Sequence, residues 1–489
     1  MKHNKTKIIA TYGPACSSAE VMHNMIQEGV DVFRFNFSHG DYDFHREGFN
    51  SIKAINKRDK SKVAILADIQ GPKIRVGMVE FDSLELAEGD EIIVTSVPQV
   101  SNKEKVYISY DRLAQDLKVG ETILMDDGKL KLRTVEIIDE HDVKMVVIDG
   151  GILSSKKGVN MPDTVTTVPS ITEKDWSDIK FAVENRANWI ALSFVRKPED
   201  VLELKNWLGE RNAYIKIIAK IEKPEAVTNI DAIIDVSDGI MVARGDLAVE
   251  VPMEKVPLIQ KSIARKCNEK GKPVIIATQM MDSMTIRSTP TRAEITDVAN
   301  AVIDGADALM LSGETSVGKF PVKTIETMTK IITNVENSDI IYHNKKYVPS
   351  EIIDELIPDS ICFNAVKLSE DLHAKAILGM TRSGYTAFRV SSYRPKANLY
   401  IFTDNKPLLY TFSLIWGVRG FYYEGFEGTD KTINDIIEIL KHEKLVCKGD
   451  IVINTASMPL QDKGKTNTIK VTLVKDMEEH LSDLIYDNI

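Results

Sequence analysis

Eight short strand-like runs, most of them rich in Val, Ile, Ala and Leu, recur along this chain, most of them followed by a stretch of helical composition. They lie at 7–11, 32–37, 63–68, 189–194, 216–221, 239–244, 273–278 and 307–312. An unbroken apolar run, rather than an alternating one, marks a strand buried on both faces; such strands belong to parallel sheets joined by crossover helices. Eight of these units close a sheet on itself, so the expected fold class is α/β, a (β/α)8 barrel of the TIM type. One interval, 68 to 189, is far too long for a single β/α unit. Within it, 91–97, 105–110, 122–125, 129–138 and 143–148 are short, rich in Val, Ile and Thr, and separated by Gly and Asp turns. They read as a small β-barrel inserted over 72–169, which leaves the main barrel discontinuous as 1–71 and 170–340. From 341 to 489 a new alternation begins, with strands expected at 375–380, 398–402, 450–454 and 468–474, giving a C-terminal α/β domain.

The 489 residues are 43% hydrophobic and 27% charged, enough for large cores in about three domains of about 150 residues each. A formal net charge of −10 with no basic stripe argues against a nucleic-acid or membrane-surface partner and favours small molecules. Cys16, Cys267, Cys362 and Cys447 are widely separated, without metal-like spacing, and read as reduced core thiols. The first residues lack the apolar run of a signal peptide, and no apolar segment approaches the roughly 18–20 residues that span a bilayer. The cytoplasm is the expected compartment.

The strand ends carry the chemistry. Alternate residues of a strand point the same way, a spacing shared by Arg34, Asn36 and Ser38, by Lys220 and Glu222, and by Arg244 and Asp246. One polar residue in a strand can be a satisfied core group, but repeated clusters at one end of neighbouring strands are costly unless they are paired or bind something. Glu222 and Asp246 sit one β/α unit apart, so their carboxylates can converge on a hard divalent cation such as Mg2+, with Lys220 beside it to stabilise negative charge in transit. Thr278, Ser312 and Glu314 end the last two strands and suit carboxylate binding or proton relay through water. In the C-terminal domain, Thr381, Arg382, Ser383, Gly384, Tyr385 and Thr386 place hydroxyls, a glycine and a cation at a helix start. Such a turn suits a phosphate, although plain helix capping is the favoured reading of this string alone.

At these residues the chain resembles the pyruvate kinase family over essentially its full length. The matching strings are Thr-Tyr-Gly-Pro-Ala from 11, Arg-Phe-Asn-Phe-Ser-His-Gly from 34, Asp-Ile-Gln-Gly-Pro-Lys-Ile-Arg from 68 and Lys-Lys-Gly-Val-Asn from 156. They continue with Ala-Lys-Ile-Glu from 219, Met-Val-Ala-Arg-Gly-Asp-Leu from 241, Ala-Thr-Gln-Met from 277 and Met-Leu-Ser-Gly-Glu-Thr from 310. The resemblance implies phosphoryl transfer from phosphoenolpyruvate to ADP, giving ATP and pyruvate, by an Mg2+- or Mn2+-dependent homotetramer. It implies Glu222 and Asp246 as metal ligands, Arg34 and Lys220 on the phosphoryl group, and the backbone around Gly245 and Asp246 with Thr278 on the substrate carboxylate. Thr278, with a water relay involving Ser312 and Glu314, would protonate the enolate. Asn36, His39, Arg75, Lys157 and Asn160 would form the ADP side.

Many relatives carry Glu at the position of Lys73 and need K+, held by residues matching Asn36, Ser38, Asp68 and the carbonyl of Ile69. A lysine ammonium can stand in for that cation, so activity without K+ is expected; the alternative is a Lys73 that points to solvent beside an intact K+ site. Ala248 replaces a usual Gly and is expected to be tolerated. The turn at 381–386 and the loop 457–468, with Lys463 and Lys465, match a region where relatives bind a phosphorylated sugar or nucleotide, but this loop lacks the Trp-Arg of some of them. A barrel lyase acting on pyruvate enolate would share the carboxylate pair without needing Lys157 or a lid. A catalytically silent binding protein would have little reason to keep Arg34, Lys220, Glu222, Asp246 and Thr278 together.

Overall fold

The computed structural model describes residues 2–342, 349, 353–425, 428–458 and 465–475. Eight parallel strands close into a barrel: β1 (Lys7–Thr11), β2 (Val32–Asn36), β3 (Ala64–Asp68), β4 (Trp189–Leu192), β5 (Lys216–Ile221), β6 (Gly239–Ala243), β7 (Val274–Ala277) and β8 (Ala308–Leu311). Each pairs with its sequence neighbours and β8 returns to β1, with Lys7 opposite Ala308. Alternation along each strand divides the apolar residues between two cores. Phe33, Phe35, Ile190, Leu192, Ile217 and Ala219 pack under the surrounding helices. Val32, Leu66, Trp189, Ala191, Ile218 and Met241 fill the barrel, in a cluster continuous with Ile377, Leu399, Phe412 and Ile415 of the C-terminal domain. That domain therefore closes the amino-terminal end of the barrel and leaves the carboxyl end for chemistry.

Several strands stop one or two residues before their apolar runs do, for a local reason. Phe194, Thr278 and Gln279 adopt left-handed conformations just past β4 and β7, and a helix spanning Arg244–Glu250 starts immediately after β6. These turns break the ladder where the polar residues begin. They also correct one expectation: with helix beginning at Arg244, the two-residue strand spacing no longer aims Arg244 and Asp246 the same way.

Between β3 and β4 the chain forms a six-stranded sheet and a two-stranded one. Short bridges join the two edges of the larger sheet: the Val76 N–H donates to the Lys157 carbonyl (2.8 Å) and the Gly77 N–H to the Tyr107 carbonyl (2.9 Å). The sheet so curled encloses its own core around Val94, Val106, Ile123, Leu132 and Met145. Leu84–Leu86, Gly151–Leu153 and Val159–Asn160 were too short to stand out as strands. The C-terminal domain has a five-stranded sheet ordered Val418–Tyr422, Asn398–Thr403, Ala376–Met380, Ile451–Ala456 and Thr468–Leu473, the last strand antiparallel. Its edge strand Val418–Tyr422 contains an Arg and a Gly, which hid it in the sequence. Arg394 clamps this domain to the barrel, donating to both carboxylate oxygens of Asp307 at 2.9 Å. Cys16, Cys267 and Cys362 are buried free thiols, whereas Cys447 is exposed rather than in a core. No helix among the described residues is long and apolar enough to cross a membrane.

Gly48 lies in the helix Tyr42–Asp59, where an added Cβ would stand 2.6 Å from the Phe35 ring and 2.7 Å from that of Tyr12. Gly48→Ala is expected to destabilise the barrel by about 1–3 kcal/mol through overpacking, read as a lower Tm. An unchanged Tm would show that this aromatic cluster can repack.

Candidate active site

Asp68, the last residue of β3 and 1% exposed, organises the carboxyl end of the barrel. Arg34 on β2 donates from Nε to Asp68 Oδ2 at 2.6 Å and from a guanidinium nitrogen to Thr11 Oγ1 at 3.0 Å. On its other side, Lys220 Nζ on β5 lies 3.1 Å from Asp68 Oδ1 and 2.9 Å from Glu222 Oε1, and donates to Ser193 Oγ at 2.7 Å. Burial alone would raise the Asp68 pKa, but Lys220 and Arg34 outweigh it and hold the carboxyl below its ordinary range. Burial likewise opposes the charge on Lys220, yet Asp68 and Glu222 raise its pKa above the usual lysine value. Lys220 is thus kept charged, and both cations are aimed by the same carboxylate.

Glu222 is fixed by the turn after β4: left-handed Phe194 presents its N–H to Glu222 Oε2 at 2.8 Å. Burial raises the Glu222 carboxyl; Lys220 opposes this and the charge of Asp246 adds to it. Two acids close enough for the charge of one to act on the other fit a hard divalent cation whose other positions are filled by water and substrate oxygens. Asp246 also meets Lys73, whose Nζ is 3.3 Å from its Oδ1. Lys73 packs against Gly158 with its side chain 27% exposed, so it turns into the site rather than out to solvent.

Thr278 accepts the Gly245 N–H at Oγ1 (2.8 Å) and donates to the Ala277 carbonyl (2.6 Å), so its left-handed backbone holds the hydroxyl over the start of the Arg244 helix. Arg244 itself leaves the cluster for Asp297 (2.7 Å) and the Thr278 carbonyl (2.8 Å), bracing two loops. Glu314 is buried and accepts the backbone N–H groups of Met281 (3.1 Å) and Ser312 (2.7 Å); burial raises its carboxyl. It anchors the loops that carry Thr278 and Ser312.

Among residues expected on the monovalent site, Asn36 Oδ1 accepts the Ser38 N–H (3.1 Å), both oxygens of Asp68 face cations, and the Ile69 carbonyl accepts the Ser193 hydroxyl (2.6 Å). Among residues expected on the nucleotide side, His39 is held below its ordinary pKa by partial burial and by Arg75, Arg34 and Lys73 around it. Arg75 donates to the Lys156 carbonyl (3.2 Å), and Lys157 pairs with Asp126 (2.8 Å) within the insert. Asn160 donates to Glu250 Oε1 on the barrel (2.6 Å). In the C-terminal turn, the Thr381 hydroxyl caps the Gly384 N–H (2.9 Å), Arg382 pairs with Asp404 (2.9 Å), and Thr386 bonds Thr466. Lys463 lies outside the described residues. Sequence reading missed Thr11, Ser193 and the Phe194 N–H, because a single hydroxyl or backbone group at a strand end carries no distinguishing pattern.

A barrel whose mouth holds two fixed cations and an acid pair, with an inserted domain reaching over it, defines an enzyme of the (β/α)8 class acting on an anionic substrate. Residues 3–325 match the family described as pyruvate kinase, barrel domain, and 359–472 match pyruvate kinase, alpha/beta domain. The chain is 40% identical over 473 residues to the pyruvate kinases of Staphylococcus aureus strains MRSA252 and USA300, covering 96% of this chain and 81% of each relative. A crystal structure of a pyruvate kinase from Cryptosporidium parvum is similar with a TM-score of 0.90 at 36% identity, covering 96% of both chains. The chain belongs to the pyruvate kinase family and is a phosphotransferase.

Ser193 both accepts from Lys220 and donates to Ile69, so Ser193→Ala is expected to lower kcat/KM about tenfold by releasing the ammonium, with folding retained by circular dichroism. An unchanged kcat/KM would mean that Asp68 and Glu222 suffice to orient Lys220.

Proposed function

We propose that this enzyme transfers the phosphoryl group of phosphoenolpyruvate to ADP, giving ATP and pyruvate. The observation that carries the reading is the pairing of Arg34 and Lys220 on opposite sides of buried Asp68, which aims two cations at the barrel mouth. A phosphoryl group lodged there meets preorganised positive charge throughout its transfer. The Gly245 N–H and Thr278 would receive the substrate carboxylate. Glu222 and Asp246 would hold Mg2+ or Mn2+; when bound, such an ion neutralises phosphate charge and orients oxygens. Once the phosphorus–oxygen bond to the enol oxygen breaks and that to the ADP terminal oxygen forms, the enolate gains a proton at its methylene carbon. Thr278, with water held near Ser312 and Glu314, is the route assigned to that proton.

ADP would lie along Asn36, His39, Arg75, Lys157 and Asn160, where His39 is crowded by cations that an incoming phosphate would offset. The inserted domain would act as a lid that excludes water, a competing phosphoryl acceptor. Its links to the barrel through Lys73–Asp246 and Asn160–Glu250 support this role. Lys73 brings an ammonium to the site, which supports turnover without K+ in place of a cation on Asn36, Ser38, Asp68 and Ile69. A homotetramer in the cytoplasm belongs to the same reading. So does a phosphorylated sugar or nucleotide effector at Thr381, Arg382, Ser383, Gly384 and Thr386, a turn whose hydroxyls already cap backbone N–H groups. Size-exclusion chromatography with light scattering checks the assembly.

Pyruvate formation from phosphoenolpyruvate and Mg2+ is expected to require ADP, which separates this enzyme from a lyase. Lys220→Met is expected to lower kcat by at least about 10²–10³-fold with the fold retained; near-normal turnover would overturn the assignment. In buffer free of Na+ and K+, the wild type is expected to turn over and to gain little from added K+. A strict K+ requirement would discard the role of Lys73 and leave the kinase reading intact.

A further inference from the structure

His45 lies in the first turn of the helix Tyr42–Asp59, behind the turn at 37–40 that carries His39. It is 4% exposed, caged by the rings of Phe37 at 4.6 Å, Phe35 at 5.9 Å and Phe44 at 6.0 Å. Neither of its ring nitrogens has a hydrogen-bond partner among the described residues. The groups around it, by contrast, are tied down. Lys174 Nζ donates to the Phe37 carbonyl (2.9 Å) and to Asp178 (2.7 Å), and the Tyr42 hydroxyl also donates to Asp178 (2.7 Å). The Ser38 and His39 N–H groups donate to the Asn36 side chain and carbonyl, each at 3.1 Å.

An imidazole in such a cage has no packing reason to be there, because Phe fills the same space without leaving buried nitrogens unmet. Burial holds the His45 pKa below its ordinary value; the His39 backbone, Asp178 and Asp41 favour the charged ring, and Lys174 opposes it. Its place at a helix start also disfavours positive charge. The ring is therefore neutral near pH 7, with one N–H to give and one nitrogen to receive. What it meets is the turn. A Cβ built on left-handed Gly40 would stand 3.4 Å from His45 Cε1 and 3.5 Å from Nε2, so that edge of the ring lies against the turn. The backbone of His39, one residue earlier, is the polar group of the turn that acts on the ring.

We propose that His45 is a positioning residue for the nucleotide: its ring supports the turn at 37–40 from behind, through a hydrogen bond to the His39 carbonyl that closes when ADP is held, and so sets where His39 meets the phosphates. Hydrogen bonds of this kind are commonly long in the free enzyme and tighten with substrate in place. The proposal rests on the reading of the enzyme as an ADP-dependent kinase. Shut behind the turn, His45 acts through His39 and not on the nucleotide itself.

The test compares the steady-state kinetics and Tm of the wild type, His45→Phe and His45→Gln, varying ADP and phosphoenolpyruvate in turn with the other saturating. His45→Phe keeps the cage and removes both nitrogens, so its Tm is expected to match or exceed that of the wild type. Its KM for ADP is expected to rise about tenfold, while its KM for phosphoenolpyruvate stays within about twofold. His45→Gln restores a donor and an acceptor, and its KM for ADP is expected to lie nearer the wild type than His45→Phe does. Should His45→Phe not fold, His45→Met takes its place as the variant without nitrogens. An unchanged KM for ADP in that variant, an equal rise in both KM values, or a His45→Gln no better than it would reduce His45 to packing and overturn the proposal alone, provided the wild type needs ADP. A wild type that forms pyruvate without ADP, or not at all, would overturn the kinase reading and the role of His45 with it.

Discussion

A carboxylate sealed from water is the constraint on which this structure turns. Asp68 is tolerable inside the barrel only because Arg34 and Lys220 each take one of its oxygens, and removing one partner of such a buried group costs several kcal/mol. The two cations come from β2 and β5, and Asp68 from β3, so their meeting requires the barrel to have closed with the right register. Asn36 opposite Asp68 and Ala191 opposite Asp68 fix that register on the two sides of β3. Closure of an apolar sheet and assembly of a charged site are therefore one event.

The turns around this cluster spend backbone comfort on aim. Phe194 and Thr278 sit in left-handed conformations, costly for residues with a Cβ, and each delivers one hydrogen bond to the site: an N–H to Glu222 and a hydroxyl to Gly245. Buried Glu314 and partly buried Arg244 anchor the loops behind them. The groups at the barrel mouth are thus held by hydrogen bonds to fixed backbone.

The two ends of the barrel are treated in opposite ways. At the amino-terminal end the barrel interior runs on into the C-terminal core, and the Arg394–Asp307 clamp joins the domains. At the carboxyl end the inserted domain reaches back through polar links, Lys73 to Asp246 and Asn160 to Glu250. The first junction is apolar and continuous with a core, whereas the second joins polar groups, buried at Asn160 and Glu250 and partly exposed at Lys73 and Asp246.

Eight strand-like runs, most of them apolar nearly throughout, determined the barrel from sequence alone, because a strand buried on both faces has little polar side to show. The same runs placed Lys220, Glu222, Asp68 and Arg34 at strand ends, since charge cannot sit inside such a run without a partner. Short strands such as Leu84–Leu86 and Val159–Asn160 were hidden, as three residues or fewer carry no period. Tertiary structure decided what each polar residue faces. Arg244, two residues from Asp246, turns away to Asp297, Lys73 turns inward to Asp246, and Ser193 joins Lys220 across two strands. Residue type and spacing determine which groups arrive at the barrel mouth; a turn of backbone, not legible in the side chains, decides the direction in which each one points.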